Sequence, residues 1–324
     1  MRKPLGYICS MLLATLVTTS ALADDYGFEI GLALANTKFD GSQTITTLGG
    51  TVFNSAEIDT DDVSVFGSWY FGGLSDDKGP KSRAVLVDRA SSLSLGYASS
   101  DQSSAVLLTS TDPLFPFPPI DSRFDTDGDT FALDFRYVDR DSGWFGSAGV
   151  VSTDVTLSGI IDDSVDATGW RLGVGKYLFE TTTLGLDISQ IDSDNFGDST
   201  VYSLAFEHLG DLGAQWQYAI DIDYNRTDGN GGSEVDSWIA AVSLYPNPDF
   251  EFGLAIEDVS GSGIGQDLTG FEGFASWFVT PNFSLAARYR VDDPVFLGNV
   301  IIGGATTVSD ADQDSFGISA TVRF

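Results

Sequence analysis

The chain contains one cysteine and one histidine in 324 residues. Cys9 lies in an N-terminal segment that we predict is removed, so the mature chain can form no disulfide. His208 follows Glu207 at the end of a predicted strand, and the sequence has no Cys/His metal cluster, nucleophile elbow or glycine-rich phosphate loop. The sequence therefore lacks the usual residues of a metal site, of a catalytic nucleophile and of a nucleotide-binding site. We therefore predict no enzyme activity, no catalytic residues, no metal site and no cofactor.

Basic residues and long apolar runs are also scarce. The 16 Lys and Arg stand against 47 Asp and Glu, and the net charge of −31 argues against nucleic acid as a partner because phosphates would be repelled. After the N-terminal segment, no stretch approaches the ~18 consecutive apolar residues of a membrane-spanning helix. Yet 42% of the residues are hydrophobic, including 23 Phe, 11 Tyr and 6 Trp. This apolar content must therefore lie in shorter elements.

The N-terminus has the three parts of a secretory signal peptide. Arg2 and Lys3 precede the apolar stretch 11–17, and Ala21-Leu22-Ala23 follows as a cleavage site. We predict that residues 1–23 are cleaved after export and that residues 24–324 form a single domain.

Apolar and polar residues alternate in fourteen runs along this mature chain. Most runs have ~9–13 residues, enough to cross a bilayer as tilted strands. Because every backbone polar group in lipid must be paired, only helices and closed barrels span membranes. We predict an all-β fold, a transmembrane antiparallel up-and-down β-barrel of about 14 strands. The runs begin near Tyr26, Val63, Ser91, Asp129, Trp144, Ala167, Thr182, Ser199, Gln215, Glu234, Phe250, Asp267, Asn282 and Gln313.

Two kinds of connection alternate between these runs, as in barrels with short periplasmic turns and long outer loops. The tight turns are rich in Pro, Asn, Asp and Gly, which favour turns. The exception is 72–90, which is long but falls on the side of the tight turns and could hide a strand extension, so 12 to 16 strands stay open. The predicted outer loops are 40–62, 104–128, 159–166, 193–198, 227–233, 258–266 and 292–312.

One face of the runs is apolar and would contact lipid, whereas the other carries charges of both signs. A charge facing lipid at mid-strand costs ~2–4 kcal/mol, so the charges must point into the lumen. A barrel of about fourteen strands favours a hydrated channel, although the charges could instead pair with each other and plug the interior. The predicted pore-lining residues are Glu29, Asp134, Arg136, Arg171, Asp187, Asp221, Asp223, Glu251, Arg288, Arg290 and Arg323.

The predicted loop 104–128 carries more apolar surface than a solvated loop tip should. Leu114, Phe115, Phe117 and Ile120 lie among four prolines. We expect these four residues to fold into the barrel mouth and narrow it. The alternatives are packing on a neighbouring protomer or contact with lipid headgroups.

The C-terminus ends in an alternating strand with an aromatic as its last residue. Phe316, Ile318, Val322 and Phe324 are the apolar members of this strand, together with Ala320. With the signal peptide and the alternating runs, this strand resembles the closing strand of Gram-negative outer-membrane porins. The stretches 70–80 and 86–92 also resemble porin-like proteins of proteobacteria. The resemblance implies location in the outer membrane of a Gram-negative bacterium and insertion by its assembly machinery, which reads the terminal strand.

The resemblance and the lumenal charges lead to a functional hypothesis. We expect a passive diffusion channel for small hydrophilic solutes and ions, with lumenal charges setting its selectivity. The alternative is a structural or surface-interaction barrel with a plugged lumen. Outer-membrane lipid and lipopolysaccharide are expected partners in both cases, and assembly into a homo-oligomer stays open.

Overall fold

A computed structural model of the chain describes residues 25–46, 51–75, 78–110, 120–159, 163–194, 197–213, 215–229, 234–261, 268–292, 301–302 and 305–324. The predicted signal peptide lies outside the described residues. Among those residues, no helix is long and apolar enough to cross a membrane.

Fourteen long antiparallel strands form one closed sheet. Each strand pairs with its neighbour in sequence, and β15 pairs with both β13 and β1, which closes the barrel. The short β14 pairs with the start of β15. The strands are β1 (Asp25–Thr46), β2 (Thr51–Ser75), β3 (Ser91–Ser110), β4 (Ile120–Val138), β5 (Trp144–Ser158), β6 (Asp163–Phe179), β7 (Thr182–Ser193), β8 (Ser199–Leu212), β9 (Trp216–Gly229), β10 (Glu234–Asn247), β11 (Phe250–Gly261), β12 (Leu268–Thr280), β13 (Phe283–Asp292), β14 (Ile301–Ile302) and β15 (Ala305–Arg323).

The predicted fold class and strand number are confirmed, but several predicted loops are wrong. The region 40–62 is mostly strand, because β1 runs to Thr46 and β2 begins at Thr51. The region 104–128 is also largely strand, since β3 ends at Ser110 and β4 begins at Ile120. The last loop, predicted as 292–312, ends early because β15 begins at Ala305.

These extensions were missed because the apolar face of the strands changes sides along β1–β4. In the apolar belt, the aligned row Leu32, Val65, Tyr97 and Phe131 faces outward, and the inward residues beside this row are small or polar except for Phe66. Four residues further along β1, the next outward-facing row is polar. Three residues beyond that, the inward-facing row contains apolar side chains. The polar outward row is Asn36, Asp61, Asp101 and Asp127, and the inward row is Phe39, Ile58, Ser104 and Phe124.

The outward face of the belt carries large exposed apolar side chains, as a lipid-facing surface requires. Trp69 is 55% exposed and Tyr137 is 58% exposed, and the Phe71 ring lies 5.2 Å from Trp69 and 6.2 Å from Phe135. We call the end of the barrel with the tight turns the periplasmic end, following the rule that periplasmic turns are short. This aromatic group lies at that end.

The terminal strand closes the barrel through its last residue. The Phe324 carbonyl accepts hydrogen bonds from the backbone N–H groups of Gly27 and Phe28, and the Phe324 N–H donates to the Phe28 carbonyl. Phe316 and Ile318 lie on the outward face and are 52% and 47% exposed. Val322 occupies the same outward row but is only 7% exposed. The C-terminal residues therefore seal the seam between the first and last strands.

Candidate functional site: the lumen and its periplasmic closure

The eleven predicted pore-lining residues all occupy strand positions that alternate with the lipid-facing apolar side chains, and so they lie on the inner wall. The cross-strand register brings Glu29 opposite Arg323, and it places Arg171 and Asp134 on either side of Gly149. A large part of this inner wall is therefore charged.

Most of these charges are paired locally on the wall. An Arg171 Nη–H donates to Asp134 at 2.6 Å, and the Arg323 Nε–H donates to Glu29 at 2.8 Å. Arg290 is held by two carboxylates, Glu257 on β11 and Asp292 on its own strand. Asp187 accepts a hydrogen bond of 3.1 Å from the Ser147 hydroxyl. The local pairing that the sequence left open is thus widespread, but the Arg171–Asp134 pair stays half-exposed.

Arg136 is fixed by aromatic residues instead of an acid. Its guanidinium carbon lies 4.4 Å from the centre of the Phe145 ring, and one Nη lies 3.5 Å from the Tyr177 hydroxyl. A guanidinium over an aromatic face is attracted by the ring quadrupole. Phe145 also packs edge-on against Tyr177, so the three side chains form one inward-facing group.

The connection between β2 and β3 folds into the periplasmic end of the barrel. We define the plug as residues Lys78–Ala90, which contain a 3-10 turn over Lys81–Arg83 and a single-turn helix, α1, over Ala84–Val87. It contains no strand, so the strand extension left open for 72–90 reaches Ser75 but does not include residues 78–90. The buried plug residues are Pro80, Lys81, Ala84, Leu86, Asp88 and Ala90.

Asp88 fixes the compact shape of the plug. Its carboxylate accepts a hydrogen bond from the Ser75 N–H at 2.5 Å and another from the Lys78 ammonium at 2.6 Å. The helical turn ends at Val87, and Arg89, two residues later, has a φ of 50° in the left-handed region. The chain therefore reverses inside the barrel before β3 begins.

The plug crosses the lumen, because its two sides pack on opposite walls. Leu86 packs in a buried cluster with residues of β4, β6, β8, β9 and β10, whereas Ala84 and Ala90 pack in a second cluster with residues of β1 and β2. In a closed ring of fourteen long strands, β9 and β10 lie about halfway round from β2. The residues of the first wall are Val138, Tyr177, Leu209, Ala219 and Tyr245, and those of the second are Tyr26, Tyr70 and Leu74.

Arg83 is the main polar attachment of the plug to the barrel. Its two Nη groups donate to both carboxylate oxygens of Asp221, at 3.0 and 2.5 Å, and its Nε–H donates to the Tyr245 hydroxyl at 2.9 Å. The Tyr245 hydroxyl donates in turn to Glu251 at 2.7 Å. Burial lowers the pKa of Arg83, but the hydrogen bonds and charge interactions with Asp221 and Tyr245 together outweigh this effect and hold that pKa above its usual value. Such bidentate, charge-assisted pairs are among the strongest polar contacts in proteins.

Further contacts tie the plug to the periplasmic rim. The Lys81 N–H donates to the Pro248 carbonyl at 3.0 Å, and its ammonium pairs with Asp249 at 2.7 Å. Arg323 donates to the Lys81 carbonyl at 3.1 Å. On the other side, the Arg89 guanidinium lies 4.8 Å from the centre of the Tyr177 ring. The plug is thereby joined to the β10–β11 turn, to the terminal strand and to β6.

Sequence reasoning identified Asp221 and Glu251 as lumenal but missed their partners, Arg83 and Tyr245. A signal was present, because the plug holds four of the 16 basic residues of an otherwise acidic chain. The candidate constriction residues Leu114, Phe115 and Phe117 lie outside the described residues. Ile120 begins β4 opposite Leu108, and its side chain also lies outside them.

His208 lies on the outer side of the wall. Its two ring nitrogens lie 2.8 Å from the Thr182 hydroxyl and 3.2 Å from the Tyr218 hydroxyl. In the described part of the chain, no group of three or more His, Cys, Asp or Glu side chains is placed to hold a metal ion.

Comparison with known proteins gives matches in structure only. No protein-family model matches the chain, and no curated protein matches its sequence. The structure is similar to the outer membrane protein Omp33 of Acinetobacter baumannii, with 16% identity and a TM-score of 0.54 over 94% of this chain and 100% of that one. It is also similar to a deletion mutant of the monoaromatic hydrocarbon channel TodX, with 12% identity and a TM-score of 0.56 over 96% of this chain and 94% of that one. The chain thus has the closed-barrel fold of outer-membrane porins and channels.

Proposed function

We propose that the protein is a passive diffusion channel for small hydrophilic solutes and ions in the outer membrane of a Gram-negative bacterium, and that the plug controls its periplasmic exit. The observation that carries this proposal is the plug itself, which crosses the lumen and is bound through Arg83 to Asp221 and Tyr245. Charged pairs above it, such as Arg171–Asp134, are half-exposed and suit a water-filled passage.

In this proposal, selectivity and flow are set at different levels of the barrel. Solutes entering from the extracellular end pass the charged wall, whose opposing charges orient dipoles and set ion preference. Solutes then reach the plug, where apolar packing and the Arg83 contacts close the route. Net flow requires that the plug moves or rearranges. Lipid and lipopolysaccharide contact and insertion by the assembly machinery belong to the same proposal.

Single-channel recording of the refolded mature protein in a planar bilayer with a salt gradient tests this proposal. The informative variant replaces residues 79–89 by a short Gly-Ser linker, and Arg226→Gln, an outward-facing charge change on β9, is the matched control. We expect infrequent or small current steps from the wild type and the control. The linker variant should give large, steady steps. Equal currents from all three would remove the plug from the mechanism.

The same plug also supports a second candidate, the structural barrel with a closed lumen. The plug is bound on several sides, and a permanently docked segment would stiffen the barrel without serving transport. The recordings separate the two functions. A silent wild type together with a conducting linker variant favours the structural barrel, whereas discrete wild-type steps favour the channel. Heat-modifiable gel mobility verifies that each silent sample is folded.

A further inference from the structure

A second feature of the lumen lies on the wall formed by β11–β13, β15 and the first two strands. A cavity of about 390 Å³ opens there into the lumen. Its size lies within the range of small-molecule sites, about 300–1,000 Å³. Its lining combines acidic, basic and aromatic side chains on one wall. Those that carry the argument are Glu272, Arg288, Phe66 and Phe274.

Arg288 and Glu272 differ from most other lumenal charges. Within the part of the chain that the structure describes, neither side chain has an ion pair or a hydrogen bond, whereas Arg171, Arg290 and Arg323 all have acidic partners. Arg288 lies opposite Phe274, and Glu272 lies opposite Arg290, so the two free charges are diagonal neighbours. Diagonal neighbours have Cα atoms about 7–8 Å apart, and these two side chains do not pair, so both charges are available to a molecule in the cavity.

Glycines shape this cavity by letting large side chains lie along the wall. A Cβ at Gly317 would lie 3.0 Å from the Arg288 Nε, so a larger residue there would shift this guanidinium by a few tenths of an ångström. A Cβ at Gly31 would collide with the Phe66 ring, and one at Gly253 would collide with the Phe274 ring. The two rings therefore lie against the wall and supply an apolar floor.

We propose that this cavity is a binding subsite for a small zwitterion with an apolar side chain, of the chemistry of an aromatic or aliphatic α-amino acid. The Arg288 guanidinium would bind the carboxylate through its planar donors. The Glu272 carboxylate would accept from the ammonium group, and Phe66 with Phe274 would contact the side chain. The subsite rests on the proposed channel function because it names the solute class that the lumen retains.

The test measures binding, so it does not depend on an open exit. L-phenylalanine, 3-phenylpropionate and phenethylamine are titrated calorimetrically into the folded protein in detergent; the last two lack the ammonium and the carboxylate, respectively. We expect phenylalanine to bind at least about tenfold more tightly than either analogue, since each lost charged contact is worth roughly that factor. Arg288→Gln should remove the advantage over phenethylamine. Glu272→Gln should remove the advantage over 3-phenylpropionate, and Arg226→Gln should change neither.

Gly317→Ala supplies a second, independent variant. The added methyl group shifts the Arg288 side chain by a few tenths of an ångström, so phenylalanine binding should weaken modestly while both charges remain present. Equal binding of all three compounds, binding unaffected by both charge variants, or no binding by folded wild type would each overturn the subsite. If the protein conducts but does not bind phenylalanine, the transport proposal stands and only the subsite is refuted. If it binds phenylalanine but does not conduct, the subsite stands and the transport proposal is refuted.

Discussion

The periplasmic end and the middle of the lumen use the same kinds of residues in different ways. At the periplasmic end, the Arg83 side chain is 18% exposed and is bound to a carboxylate and a tyrosine hydroxyl. In the middle, the Arg171 side chain is 49% exposed and has a single partner. Removing one member of a buried pair costs about 3–5 kcal/mol, whereas an exposed pair is worth about 0–1 kcal/mol. Burial therefore distinguishes the two arginines. The largely buried Arg83 holds the plug in place, whereas the exposed Arg171 mainly contributes to the electrostatic field of the lumen.

The largest effect should come from Arg83→Ala. This change leaves Asp221 and Glu251 without their cation, and because the pair is partly buried we expect the docked plug to lose at most about 3–5 kcal/mol relative to the undocked state. Hydrogen exchange of the plug amides should accelerate, and single-channel current should rise. Arg171→Ala is the matched control. Unchanged exchange in residues 81–90 would mean that the apolar clusters alone hold the plug.

Leu86→Ala tests those apolar clusters directly. Leu86 is 5% exposed and belongs to one buried cluster with five barrel residues, so its truncation should cost about 2–5 kcal/mol of plug docking. Exchange should again accelerate, but ion selectivity should match the wild type because no charge changes. Val87→Ala, which alters a partly buried neighbour, should have a smaller effect. A larger effect of Val87→Ala would contradict the assigned packing.

The middle of the lumen should respond in selectivity rather than stability. Arg171→Gln removes an exposed positive charge beside Asp134, so we expect a stability change below about 1 kcal/mol. The reversal potential in a salt gradient should shift toward cations, most visibly in the linker variant. Lys38→Gln, on the outward face, serves as the control. A loss of stability comparable to that of Arg83→Ala would erase the distinction between the two regions.

The smallest effect concerns a periplasmic turn outside both regions. The Ser142 hydroxyl donates to Asp139 at 2.6 Å, and this bond with those of nearby N–H groups lowers the pKa of that carboxyl. A depressed folded-state pKa contributes stability above the unfolded-state pKa, about 3.9, and this contribution is lost as pH falls through the folded value. Carboxyl chemical shifts should therefore titrate below about 3.9 for Asp139, and Ser142→Ala should raise the midpoint. A midpoint at the ordinary value would disprove the turn's contribution.

The sequence predicted the barrel well because a membrane imposes a simple rule on each strand. Phe28, Trp69 and Tyr137 could be assigned to the outer face from alternation alone, and their exposure agrees. The same rule fails beyond the apolar belt, where Phe39 and Ile58 face inward and Asp61 faces outward. The extended strands were therefore predicted to be loops.

The closure could not be predicted because it depends on contacts between distant residues. Arg83 meets Asp221 across 138 positions of sequence, and no periodic pattern marks that pairing. A short helical turn inside a barrel also lacks the alternation that identified the strands. Charge provides the available clue, since a basic segment in an acidic chain needs acidic partners. The charge pattern indicates that the segment contacts acidic residues, but it does not indicate which residues these are or how far inside the barrel the contact lies.

The most direct test of a movable plug is a reversible crosslink between the plug and the rim. The backbone N–H of Lys81 donates to the Pro248 carbonyl at 3.0 Å, so the two residues are neighbours. The predicted mature chain has no cysteine, so Lys81→Cys with Pro248→Cys introduces a single pair, and gel mobility under non-reducing conditions verifies that its disulfide has formed. Single-channel current is recorded from the same bilayer before and after a reducing agent. We expect no current steps while the disulfide is closed and discrete steps once it is reduced. The same current in both states would contradict control of the exit by the plug.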